Sequence, residues 1–483
     1  VKRLQIISGI LLTLSLLACS SNEIISDSVL SDESVTIAYA EPITDYSPLS
    51  YTAKDRRYLA NIYESLVHYD SSFNTATGLA VAWGREDDRT WEFRLREGVV
   101  FHDGTSFDAQ DALYSLNLAM SDPESELGAL LSVIESTEVT EEGRLKIKTF
   151  EPDPLLLNRL VNVYMIPDSY EDFLTPNGTG AYTVSGFEDN ALILKRFDYY
   201  WGDAPYFAEA RLKYEPQVQD RFEGLKSGEI QVLANVPPQY TTDLIESAIS
   251  IDTYPSLESS FLIFNDSAVF EDPELRKAAW SSLDVSYATT LGGGFLTPTS
   301  QYAASGIMGY VSTWETEEKE LIKLDELIEV TLDIPEGISV LGLMIVEDMH
   351  EAGFDVTLNE LSLEEFEAKI YSGESDLFFF GWKYDLADVS EFFEAVIHSE
   401  GDFNATGYKN PELDVLIELA AQSLELEERR SLLEQIARQY YDDQVAFPLF
   451  ESKVLYGVHP SVTWEARLDG LILASEISGN VVE

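Results

Sequence analysis

Cysteine is almost missing from this chain. Its 483 residues hold one, Cys19, so no disulfide can form within the chain and no cysteine cluster can hold zinc. Histidine is nearly as scarce. His68, His102, His350, His398 and His459 show no pair at metal-ligand spacing, which leaves a nickel or haem role through protein ligands without support. Positive charge is the third shortage. Thirty-one basic residues face 86 acidic ones, a formal net charge of −55, and such a surface repels nucleic acid and anionic headgroups. Enzyme motifs are absent as well: there is no G-x-S-x-G and no H-E-x-x-H. Carboxylate pairs mean nothing by themselves among so many acids. No catalytic residue, metal or cofactor is expected.

What the chain does contain is apolar and aromatic material. At 45% hydrophobic and 12% aromatic it can build sizeable cores, and its length predicts two large lobes with insertions, or about three structural units. No long block of pure acid occurs, so the charge is spread over folded surface, as salt adaptation or as an attraction for cationic solutes. At the N-terminus, Lys2 and Arg3 precede a mainly apolar run over 4–17, shorter than the roughly 20 residues of a membrane-spanning helix. Leu16-Leu17-Ala18-Cys19 then reads as a lipobox. The expectation is a signal peptide over 1–18, an acylated Cys19, and a polar, acidic tether over 19–33. That places the protein outside the cytoplasm, lipid-anchored to the cell membrane, in a periplasm or on the outer face of the cytoplasmic membrane.

Residues 91–120, WEFRLREGVVFHDGTSFDAQDALYSLNLAM, are consistent at every level. Trp91, Phe93 and Leu95 alternate with Glu92, Arg94 and Arg96, the period of a half-buried strand. Val99, Val100 and Phe101 form a second apolar run, closed by a His102-Asp103-Gly104 turn. Asp108 stands where a helix N-cap belongs, with Asp111 three residues on. Ala109, Ala112, Leu113, Leu116 and Met120 follow at helical spacing. From Phe93 through Leu116 this wording resembles the signature of the family 5 extracellular solute-binding proteins, the dipeptide, oligopeptide and nickel receptors of ABC importers. Leu113 stands in place of the usual valine. These residues identify a scaffold and carry no chemistry.

Further stretches resemble the same family in the same order: Leu79 to Trp83, Pro176-Asn177-Gly178-Thr179-Gly180-Ala181-Tyr182, Tyr199 to Gly202, Leu225 to Ile230, Asp272 to Ala278, Gly353 to Val356, Gly407 to Asp414, and Phe447 to Phe450. Ala181, Phe197, Gln231 and Val389 depart from its pattern. The glycine-rich loop at 176–182 lacks a P-loop's lysine and helix, so it reads as a tight turn into a strand. Residues 57–69 have helical spacing, 291–309 read as loop, and 312–337 read as acidic and weakly helical. The resemblance implies an α/β fold: a two-lobed periplasmic-binding-protein-like architecture (type II, cluster C) with a small inserted third domain. Its implied division is 34–56 in lobe I, 57–175 inserted, 176–262 in lobe I, 263–444 in lobe II, and 445–483 returning to lobe I.

The segment Asp376-Leu377-Phe378-Phe379-Phe380-Gly381-Trp382-Lys383-Tyr384-Asp385 is the expected ligand contact, a buried strand opening into the cleft between lobes. By resemblance, Asp385 pairs with a peptide's α-amino group and Trp382 lines the pocket. A desolvated ammonium needs a carboxylate, and charge-assisted bonds are the strong ones. The alternative is that Asp385 caps a helix or pairs with Lys383 at the surface. Tyr384, Phe261, Asn265 and Tyr408 are further pocket candidates. The implied function is a lipid-anchored, monomeric receptor that binds peptides between its lobes and delivers them to an ABC permease served by a separate ATPase subunit. A receptor for oligosaccharide or chelated metal on the same scaffold, and a surface sensor that feeds no transporter, are the alternatives.

Overall fold

The computed structural model describes residues 30–480 apart from 169, 171, 267, 292, 293, 313 and 315–318. The expected signal peptide, Cys19 and the expected tether up to 29 lie outside the described residues. Strand β1 (Ser31–Tyr39) carries the run Val35 to Tyr39 into a large sheet, where Val35, Ile37 and Tyr39 are buried. It starts at Ser31, which pairs with Phe207, so residues 31–33 are strand and not tether.

The helix expected over 57–69 is a correction. A helix spans Ala53–Leu59, capped by the Thr52 side chain, and the chain then turns. Its apolar spacing serves two cores and not one helix face. Tyr58, Leu59, Ile62 and Tyr63 pack in the first lobe with β1, while Leu66 enters the core of the inserted unit. Carbonyls that a continued helix would use internally are taken by other segments. Ile62 accepts from Gly180 N–H at 2.9 Å and Leu66 from Ala80 N–H at 2.8 Å.

The inserted unit opens with a hairpin of β2 (Val67–Tyr69) and β3 (Thr75–Thr77). β4 (Ala80–Arg85), β5 (Thr90–Leu95), β6 (Ile134–Val139) and β7 (Leu145–Thr149) then form an antiparallel sheet in the order β4-β5-β7-β6. The helix Ala109–Ala119 begins as the sequence predicts. Asp108 accepts from Gln110 N–H at 2.7 Å and Asp111 accepts from Asp108 N–H at 2.7 Å, a reciprocal capping box. The unit's core runs from Leu66 to Met165, so it starts later than 57 and ends before 175.

β8 (Tyr182–Glu188), β9 (Ala191–Arg196), β10 (Phe207–Tyr214) and β11 (Val232–Leu233) complete the first lobe's side of the large sheet. Next comes β12 (Ser250–Phe264), a fifteen-residue strand, followed by short β13 (Leu296–Pro298) within the expected loop. β14 (Ile328–Pro335), β15 (Phe354–Leu361), β16 (Leu377–Lys383) and β17 (Ala446–Val458) close an eleven-stranded sheet, with path β15-β14-β16-β12-β17-β11-β1-β10-β9-β8 and β13 on β17.

β14 corrects the helical expectation for 312–337. Val330, Leu332 and Ile334 alternate inward, a period-2 signal that the acidic composition around it obscures. The lobe boundaries also move. Ser250 to Pro255 of β12 pair with β17 alone, whereas Glu258 to Phe264 also pair with β16, so the crossing lies at 256–258 and not at 262. Likewise Ala446 to Phe450 of β17 still pair with second-lobe residues of β12, beyond the expected return at 445. The second lobe packs the helices Ser339–Ala352 and Leu426–Asp443 on opposite faces of its strands.

The turn at 176–182 is structural. Gly178 O accepts from His102 N–H, Gly180 N–H donates to Ile62 O, and the His102 Nε2 lies 2.9 Å from Gly180 O. A Cβ on Gly178 would stand 2.2 Å from the Ile62 oxygen. Gly178→Ala is therefore expected to lower stability in urea unfolding by about 1–3 kcal/mol. Gly84→Ala, where a Cβ meets nothing within 4 Å, should change it little. Equal effects from the two would contradict the close-approach account.

Candidate functional site

A cavity of about 690 Å³ lies where the two lobes face each other. The helix Ala53–Leu59 and the turn after it supply Arg56, Arg57, Asn61, Tyr63 and Glu64. The second lobe supplies Glu258, Lys383, Tyr384 and Asp385. Tyr164, Tyr200, Trp201 and Tyr456 give the wall an aromatic character. Its volume and aromatic wall, with charged side chains of both signs converging on it, fit a small-molecule site.

Hydrogen bonding separates structural charges from available ones. Arg467 donates to Asp469, Glu476 and the Tyr69 carbonyl; burial works against its charge, and the two carboxylates outweigh this and raise its pKa. Glu64 accepts from Thr179 Oγ1 at 2.7 Å, Trp201 Nε1 at 2.8 Å and Tyr200 OH at 3.0 Å. Burial raises its pKa against those three bonds. Both groups hold the wall together.

Three other charges are less committed. Asp385 pairs with Lys383 at 3.3 Å, but both side chains are about half exposed, 51% and 50%, so the pair is loose. Glu258 lies across the β12–β16 ladder from Lys383 and makes no ion pair among the described residues. Burial raises its pKa, with Lys383 opposing. On the facing wall, the Arg56 guanidinium sits 4.8 Å from the Tyr164 ring centre and donates to Asn162 O at 3.1 Å, with no carboxylate in ion-pair reach among the described residues. The buried Tyr164 hydroxyl likewise finds no protein partner there. The site thus offers two carboxylates on one side, and a guanidinium and a phenol on the other.

The expected residues divide accordingly. Asp385 and Tyr384 line the cavity, although the Tyr384 hydroxyl donates to Tyr302 O inside the second lobe. Trp382, Phe261, Asn265 and Tyr408 are not among the described residues that line it. Trp382 packs against Phe380, Phe392 and Phe403. Phe261 is fully buried and stacks on Phe392 at 4.9 Å. Asn265 donates to Gly373 O and Ser375 O, and Tyr408 donates to Asp443. These four belong to the packing of the second lobe. Alternation along β16 turns Trp382 inward and Lys383 outward. Sequence reasoning missed Glu258, Arg56 and Tyr164. Glu258 stands in an unremarkable SLESSF run, and Arg56 looks like any helix-surface base.

Residues 74–330 match the model of the bacterial extracellular solute-binding proteins, family 5, middle region. The nickel-binding protein NikA of Staphylococcus aureus is 22% identical over 402 residues, covering 78% of this chain and 80% of that protein. The periplasmic oligopeptide-binding protein OppA of Escherichia coli is 23% identical over 450 residues, covering 81% of each. Among solved structures, HbpA2 from Haemophilus parasuis superposes with a TM-score of 0.85 at 17% identity, covering 93% of this chain and all of that one.

The raised pKa of Glu258 gives a pH test. The folded state holds this proton more tightly than the unfolded chain, so ionisation weakens folding as pH rises past the ordinary value of 4.5. Glu258→Gln should raise the melting temperature at pH 7, and the gain should vanish below pH 4.5. A gain that persists in acid would show that Glu258 is not strained by burial.

Proposed function

Because the chain belongs to family 5 of the bacterial extracellular solute-binding proteins, we propose that it is the receptor of an ABC importer that takes a peptide into the cavity between its lobes. The observation that carries the peptide reading is the pair of carboxylates, Asp385 and Glu258, on the second lobe's wall of the cavity. A peptide's α-ammonium displaces Lys383 from its loose contact with Asp385, and Glu258, which makes no ion pair among the described residues, takes part of the same charge. Charge-assisted bonds strengthen as the lobes close and exclude water. The aromatic wall accepts varied side chains without fixing their identity. Closure bends the sheet at the crossing between lobes, the hinge-type transition of two-lobed receptors.

In this reading Cys19 carries the lipid that holds the receptor outside the cytoplasm. The closed form docks on a membrane permease driven by a separate ATPase subunit, and the receptor acts as a monomer.

The soluble chain from Ser20, screened by thermal unfolding in high and low salt against di- to pentapeptides, cello-oligosaccharides and nickel chelates, tests this. A bound ligand well above its dissociation constant raises the melting temperature by mass action. The expected result is a shift with peptides that N-acetylation of the peptide abolishes. Asp385→Ala should weaken binding about 30-fold or more, as when one partner of a desolvated charge pair is removed. A shift with sugars or chelates that survives Asp385→Ala would overturn the peptide reading.

A further inference from the structure

The residue after Asp385 is held from two directions. Leu386 N–H donates to Glu391 Oε1 at 2.6 Å, and Leu386 O accepts from Asn158 Nδ2 at 2.7 Å. Both groups are buried with their residue, which is 4% exposed, so each needs a partner. Glu391 lies just past the loop in the second lobe. Asn158 comes from the inserted unit, on the short helix Leu156–Leu160, whose Leu156 and Leu160 are fully buried in that unit's own core.

The next residues are constrained as well. Ala387 has φ 60°, a left-handed conformation that alanine adopts only when its surroundings impose it. Ala387 O accepts from Met308 N–H at 2.9 Å, and Val389 N–H returns to Met308 O at 3.1 Å. Asp388 accepts from Ser390 N–H at 2.9 Å and pairs with Arg429 at 2.9 Å. A loop held at every residue around an unfavourable backbone angle keeps its first residue, Asp385, at a fixed place on the cavity wall.

We propose that Asn158 and Glu391 are positioning residues of the binding site, holding Leu386 so that Asp385 faces the cavity, and that the inserted unit, which already lines the cavity through residues such as His68 and Asn162, also sets the place of the second lobe's carboxylate through Asn158. This rests on the reading of Asp385 as the ligand's anchor. Burial raises the Glu391 carboxyl's pKa against the Leu386 N–H bond, so glutamine, which keeps an acceptor oxygen, is a close stand-in.

Hydrogen exchange of the amides over 386–390, measured without ligand on the full soluble chain, tests the clamp by itself. Asn158→Ala and Glu391→Ala should each speed exchange there about tenfold, the scale of one buried hydrogen bond, and leave the β4-β5-β7-β6 sheet protected. Glu391→Gln should restore slow exchange. Unchanged exchange in Asn158→Ala overturns the proposal. With the peptides of the preceding screen, Asn158→Ala should weaken binding, and the Asn158→Ala/Asp385→Ala double variant should bind no worse than Asp385→Ala alone. Additive losses would overturn it too. If wild type bound no peptide, the peptide reading would fall while the exchange rates still decided the clamp.

Discussion

Strands β12 and β17 run antiparallel from Ser250 opposite Val458 to Ile263 opposite Ala446, and both lobes are built outward from that ladder. At one end it meets β11 and β1, at the other β16 and β14. The register shifts between Pro255 and Ser259, where Leu257 takes φ 59° and the Ser256 hydroxyl meets Ser452. Bulges bend strands and re-aim side chains. This one lies between the lobes and brings Glu258 to the cavity wall while Leu257 enters the second lobe's core. One backbone irregularity, where the strand passes between the lobes, thereby places a cavity-facing carboxylate.

The scarcity of basic residues gives those present a readable distribution. Buried acids draw on them: Asp388 on Arg429, Asp333 on Lys369, Asp153 on Arg159. A carboxylate left unpaired in the interior is costly, so these partners hold the fold. Arg56 is different. In a chain where acids outnumber bases nearly three to one, its guanidinium rests on an aromatic ring in the cavity, with no carboxylate in ion-pair reach among the described residues. With Asp385 and Glu258 on the second lobe's wall, the cavity carries charges of both signs inside a strongly acidic molecule.

Local chemistry made much of the scaffold readable. Asp108 with Asp111 starts a helix as type and spacing predict, Asp272 and Asn410 cap helices within stretches that resemble the family, and Gly353 ends one in the left-handed conformation. The alternation at Trp91, Phe93 and Leu95 became β5. Residues 57–69 misled because apolar positions at helical spacing fed two cores. β14 was hidden because acidic flanks outweighed its alternation. The site was the least legible part. Phe378, Phe379, Phe380 and Trp382 make β16 apolar on both faces, so nothing in the run says which face a cleft would use. Arg56, Tyr164, Glu258 and Asp385 lie far apart in sequence and meet only through the tertiary fold. Family resemblance, not spacing, points to Asp385, which lies on the cavity wall.

The most direct test of the central claim, that the cavity between the lobes is the peptide site, is a crystal structure of the soluble chain with a peptide found to bind it. The expected density is one extended peptide in the cavity, its ammonium nitrogen within hydrogen-bond reach of both Asp385 and Glu258. Density elsewhere on the molecule, or a peptide in the cavity whose ammonium avoids both carboxylates, would contradict it.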